Sequence, residues 1–129
     1  MNQLIVKVVS IEHKETLHLL KLSQGKETIN MLTLELNSMV NIGTELTISI
    51  KSTHIGISRY YQKDISIENQ LKAKIIQIEN GSILSSICLE IDGRILESVI
   101  TKNASKQLDL KVDDEVFALM NSSDIFIKK

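Results

Sequence analysis

Residues 69–79 read Asn69-Gln70-Leu71-Lys72-Ala73-Lys74-Ile75-Ile76-Gln77-Ile78-Glu79, and residues 2–12 read Asn2-Gln3-Leu4-Ile5-Val6-Lys7-Val8-Val9-Ser10-Ile11-Glu12. Laid over each other, they bring Lys7 onto Lys74, Glu12 onto Glu79, and Val8, Val9 and Ile11 onto Ile75, Ile76 and Ile78. The register returns near the end of each half at a slightly larger offset. There Glu45 meets Glu115, Ser52 meets Ser122, Ile55 meets Ile125 and Ile57 meets Ile127. A period of this size means two copies of one structural unit, with a short insertion or deletion inside one of them.

Each copy reads mainly as strands. The opening stretch is β-rich, with Leu4, Val6 and Val8 alternating with Ile5, Lys7 and Val9. Thr16 to Leu22 and Ile83 to Ile91 are apolar strands, and Gln24-Gly25-Lys26 and Asp92-Gly93-Arg94 are the turns after them. Leu46, Ile48 and Ile50 alternate with polar neighbours, as do Val116, Ala118 and Met120. A short strand closes each copy, at Ile55 to Ile57 and at Ile125 to Ile127. One helix per copy is expected, with Thr101 as N-cap of Lys102 to Leu108 and Thr33 as N-cap of Leu34 to Val40. Five strands and one short helix are the inventory of a small OB-like barrel. The chain therefore divides into a first repeat (1–58), a polar connector (59–67) and a second repeat (68–129). Repeats this small have marginal cores and open edges, so an oligomer or a tightly fused pair is expected.

Composition removes several classes. A formal net charge of −1, 3% aromatics and no Trp leave little to attract or stack nucleic acid. No apolar run is long enough for a membrane span, and no signal-peptide pattern opens the chain, so a cytoplasmic location is the expectation. One cysteine cannot form an internal disulfide, and Cys88 among Ile87, Leu89 and Ile91 reads as a buried, inert thiol. His13, His18 and His54 have no metal-ligand spacing, and Asp113-Asp114-Glu115 lacks the spaced oxygens of a calcium loop. Nucleophile elbows, phosphate loops and His-Glu-x-x-His are absent, which points away from an enzyme.

Asn69 to Ile75, Ser98-Val99-Ile100-Thr101-Lys102, and Leu108 to Val116 together resemble the Mop, or TOBE, family, and the resemblance covers residues 66–128. The first copy keeps Asn2-Gln3-Leu4 and the close Lys51-Ser52-Thr53. The resemblance implies an all-β chain of two tandem OB-like Mop β-barrel units, each with one short helix. It implies binding of molybdate or tungstate, without an organic cofactor, for storage, homeostasis or sensing. It also implies a homo-oligomer, a trimer with anions between copies, and a role beside a molybdate-transport or regulatory protein. The family's opening, closing and helix-start motifs carry over to Ser66, Asn69 and Gln70; to Lys51, Ser52 and Thr53 with Ser122 and Ser123; and to Thr101, with Thr33 the weaker match. These residue types suit a tetrahedral dianion, which needs hydroxyl, amide and ammonium donors.

Two departures leave the number of working sites open. Glu68 stands where the family has arginine, and its carboxylate would repel an oxyanion unless it faces solvent. Asn121 replaces the closing lysine, and no Ser-Ala-Arg precedes Asn2. Some sites could be dead and others live through Lys51. Alternatively the sites bind through neutral donors, or at interfaces that bring in Lys72, Lys102 or Arg59. A third reading is a non-binding interaction module that regulates a molybdate transporter or transcription factor. Without the family, Lys51 to His54 and Ser122-Ser123 would read as solvated turns and Thr101 as a plain N-cap.

Overall fold

The computed structural model describes residues 2–128. Its strands are β1 (Asn2–Lys14), β2 (Leu17–Gln24), β3 (Glu27–Thr33), β4 (Glu45–Ile50) and β5 (Gly56–Ser58), then β6 (Asn69–Asn80), β7 (Leu84–Ile91), β8 (Arg94–Thr101), β9 (Glu115–Met120) and β10 (Phe126–Ile127). One helix, α1 (Lys102–Leu108), precedes β9, and 3-10 turns at Ser52–His54 and Ser122–Asp124 precede β5 and β10. The protein is all-β, in two five-stranded antiparallel sheets.

The opening strands behave as their alternation requires. In β1, Asn2, Leu4, Val6 and Val8 face inward, and in β6 Asn69, Leu71, Ala73 and Ile75 do the same. Each strand then slips by one residue, between Val8 and Ser10 and between Ile75 and Gln77. The residues left out of register, Val9 and Ile76, are both exposed. A bulge bends a strand and adds twist. Here it lets one long strand pair with β4 or β9 along its first part and with β2 or β7 along its second.

The short closing strands cross over. Strand β5 pairs with β9, through Gly56↔Leu119 and Ile57↔Ala118, and β10 pairs with β4, through Phe126↔Ser49 and Ile127↔Ile48. Each sheet is thus four strands from one half and one from the other. Buried side chains from both halves, among them Leu20, Ile29, Ile48, Ile87, Leu96 and Ile125, form one continuous core.

The expected helix at Leu34–Val40 is absent. Thr33 donates its hydroxyl to the Glu35 carbonyl, the Asn37 side chain accepts from the Met39 amide, and the Asn41 amide donates to Thr44 Oγ1. Such local side-chain bonds offer the backbone an alternative to helix. Length decides it further. The offset between halves is 67 from β2 to β7 and 70 from β4 to β9, so the first half lacks three residues in this connection. Three residues are most of one helical turn, and a helix this short has none to spare. In the second half Thr101 caps α1 by accepting from the Ala104 amide at 3.0 Å, and Asp109 ends it in the left-handed region at φ 52°.

The polar connector takes no strand beyond Ser58. Arg59 donates to the Leu108 and Asp109 carbonyls and pairs with Asp114 at 2.9 Å, which latches it to the end of α1. Tyr60 and Tyr61 are exposed, with Tyr61 edge-on to Phe117. Cys88 is half-buried, not enclosed. The strand alternation that buries Ile87 and Leu89 turns the intervening thiol to the opposite face.

Candidate functional site

The crossing strands place each 3-10 turn against the third strand of the other half. Ser52–His54 lies on β8, and Ser122–Asp124 lies on β3. Both junctions are held by the same device. The Asn69 side chain donates to the Asn30 carbonyl at 2.8 Å and accepts from the Asn30 amide at 2.7 Å. The Asn2 side chain donates to the Glu97 carbonyl at 2.7 Å and accepts from the Glu97 amide at 2.8 Å. A strand edge leaves its N–H and C=O unpaired, and a primary amide supplies one donor and one acceptor at matching spacing. The repeated Asn-Gln opening therefore closes the two halves onto each other.

Beside each clamp runs a shallow, mostly apolar cleft shared by the two halves. The first, of about 520 Å³, includes Thr53, His54, Leu84, Val99, Thr101 and Asn121 in its wall. The second, of about 630 Å³, includes Leu17, Leu32, Thr33, Leu34, Ser123 and Phe126. The turns also meet each other, with His54 Nδ1 3.9 Å from Asp124 Oδ1.

Thr53 and Thr101 are therefore brought together, as are Ser123 and Thr33. Thr101 already spends its oxygen on the helix cap. Lys51 is exposed just before the first turn, and its carbonyl accepts from the His54 amide. Ser66 and Glu68 are exposed in the connector region, so Glu68 faces solvent. Gln70 holds the connector, donating to the Gln62 and Ile67 carbonyls and accepting from the Gln62 amide. Lys72 faces Glu115 at 3.9 Å on the surface.

The two turns differ chemically at one point. Ser52 donates its hydroxyl to Glu97 Oε1 at 3.0 Å, and Ser86 donates to Glu97 Oε2 at 2.6 Å. Hydrogen bonds from Ser86 and then Ser52 hold the Glu97 carboxyl below the usual carboxylate range, against a smaller opposing effect of burial. At the other junction Asn30, from the first half, stands in place of Glu97. Among the described residues, no hydrogen bond occupies the Ser122 hydroxyl or the Asn30 side chain.

Asn2, Asn30 and Glu97 are junction positions that the sequence analysis did not single out. The repeat itself carried the signal. The offset that puts Asn2 on Asn69 also puts Asn30 on Glu97, a lone carboxylate within the strand Ile95-Leu96-Glu97-Ser98-Val99. Asp114 is also held below the usual range, by the Lys111 amide and then Arg59, but it belongs to the latch on α1.

Residues 65–127 match the family model for the TOBE domain. A probable molybdenum-pterin-binding protein of Haemophilus influenzae is 36% identical over 64 residues, which is 49% of this chain and 93% of that protein. The fold superposes on that of the cytoplasmic molybdate-binding protein ModG, solved with molybdate bound, with a TM-score of 0.88 and 19% identity over 98% of this chain and 94% of that one. A molybdate-binding protein from Sporomusa ovata matches 51% of this chain and 98% of its own, with a TM-score of 0.50 and 30% identity.

Proposed function

Because the chain belongs to the Mop/TOBE-domain family, we propose that it is a cytoplasmic binding protein for molybdate or tungstate, serving storage, homeostasis or sensing. The observation that carries this reading is 36% identity spanning nearly all of a molybdenum-pterin-binding protein. The fold likeness to ModG, which extends over 98% of this chain, supports reading the whole chain in the same way. In this reading residues 1–58 and 68–129 are two OB-like Mop units joined by 59–67, assembled into homo-oligomers, with the trimer as the proposed form.

Binding without catalysis is the mechanism. The candidate donors for the oxyanion are hydroxyls and amides at the two serine turns: Ser52 and Thr53 with Lys51 at one, Ser122 and Ser123 at the other. Thr101, Ser66, Asn69 and Gln70 supply or position further donors around them. Neutral donors suit a dianion that must also be released, and Lys51 adds full charge.

Calorimetric titration with molybdate, tungstate and sulfate, alongside native mass, tests this. Binding of the two larger oxyanions without sulfate is the expected result. An intact oligomer that binds none of them overturns it and leaves an interaction module beside a transport or regulatory protein. The carboxylate of Glu97 on the Ser52 hydroxyl is the observation that favours that second reading.

A further inference from the structure

We infer that Glu97 makes the two serine turns unequal, closing the Ser52 turn to oxyanions and leaving the Ser122 turn, over Asn30, as the one that binds. The inference rests on the oxyanion reading above and goes beyond it by assigning selectivity between sites to a single residue.

The argument is one of donors and charge. A hydroxyl has one proton to give, and Ser52 gives it to Glu97 Oε1 at 3.0 Å. An anion arriving at this turn meets an oxygen lone pair where it needs a donor, and a full negative charge within one side-chain length. The carboxylate cannot easily swing away. Ser86 holds its other oxygen at 2.6 Å, and the Asn2 amide fixes the Glu97 backbone on both sides. Lys51, the cation that precedes this turn, is exposed. At the equivalent place in the other junction, Asn69 fixes the Asn30 backbone in the same way, but the residue so held is neutral. Ser122 keeps its proton free among the described residues. Two turns with one backbone geometry thus differ by one unit of charge and one available donor.

The test is the reciprocal exchange in the full chain. Glu97→Gln keeps the side chain's shape and can still bond both serines, one by each of its amide groups. Asn30→Glu installs the carboxylate on the other side. Molybdate bound per chain is measured by equilibrium dialysis, with thermal melting to establish that each variant is folded. Glu97→Gln is expected to add a site, with affinity at the first turn rising roughly tenfold or more as the like charge is removed. Adding Lys51→Ala to that variant is expected to remove the gain. Asn30→Glu is expected to abolish most of the wild-type binding. If the wild type binds molybdate and neither exchange changes the amount bound, the inference is overturned while the oxyanion reading stands. If the wild type binds none and Glu97→Gln gains a site, the closure of the Ser52 turn by Glu97 stands, and the assignment of binding to the Ser122 turn is overturned. If neither the wild type nor folded Glu97→Gln binds molybdate, both readings fall.

Discussion

Strand for strand, the first half of the chain and the second are built alike, yet they differ at the turns and connections where the halves meet. Both have an opening strand with a bulge at the same position, a hairpin, a return strand, a 3-10 turn and a strand that crosses to the other sheet. In the first half the connection after the hairpin is irregular, the clamped strand residue is Asn30, and Lys51 precedes the turn. In the second half the connection holds α1, the clamped residue is Glu97, and Asn121 precedes the turn. Because the strands cross, Lys51 and Glu97 end up at the same junction, and Asn121 and Asn30 at the other. Each cleft is lined by both halves, so a charge change in one half alters a junction shared with the other.

The largest effect should come from breaking the crossover. Ile125 is buried and leads into β10, which completes the first half's sheet. Ile125→Ala is expected to cost about 2–5 kcal/mol. Hydrogen exchange should then show the loss of protection at Thr47 and Ser49 in β4. Loss confined to β6, β7 and β8 would mean that the halves are stable separately.

The amide clamps sharpen the comparison next. Asn69→Ala leaves the Asn30 amide and carbonyl without partners and is expected to cost roughly 1–3 kcal/mol for each buried group stranded. Urea denaturation measures it. Asn2→Ala should cost less, because Asn2 is 9% exposed against 1% for Asn69 and water can replace part of the loss. Equal costs would show that exposure is not what separates the two junctions.

Thr101→Ala isolates a feature of the second half alone. It removes the N-cap of α1 and is expected to cost about 1 kcal/mol, with no change in exchange at residues 34–44. The smallest effect is in the acid limb of stability. Glu97 has a folded pKa below its unfolded value, so its contribution is complete above the ordinary carboxylate range and fades as pH falls through the folded pKa. Glu97→Gln lacks that component. Its urea midpoint should fall less steeply in acid than that of the wild type, and parallel curves would mean that the serine bonds do not bias the carboxylate.

Much of this was legible in the chain. Two-residue alternation marked the strands, Asp92-Gly93 marked a hairpin, and the serine turns appeared at matched places in both copies. Thr101 was readable as a cap because a cap is local. The missing first helix was partly legible too, since Asn37, Ser38 and Asn41 are poor helix residues and the offset between copies changes in that stretch. Cys88 misled because apolar neighbours at odd and even positions of a strand face opposite ways.

What the amino-acid sequence determined by itself is the main strands, the repeat and the family, because periodicity, turn chemistry and motif order act over a few residues. Tertiary structure alone decided where the short strands pair, what Asn2 and Asn69 hold, and that Ser52 meets Glu97. Those contacts join residues 95, 39 and 45 positions apart. An edge strand accepts any backbone partner of suitable direction, and the partner is chosen by which arrangement buries both halves' apolar faces in one core. That choice is global, and no local pattern in either half records it.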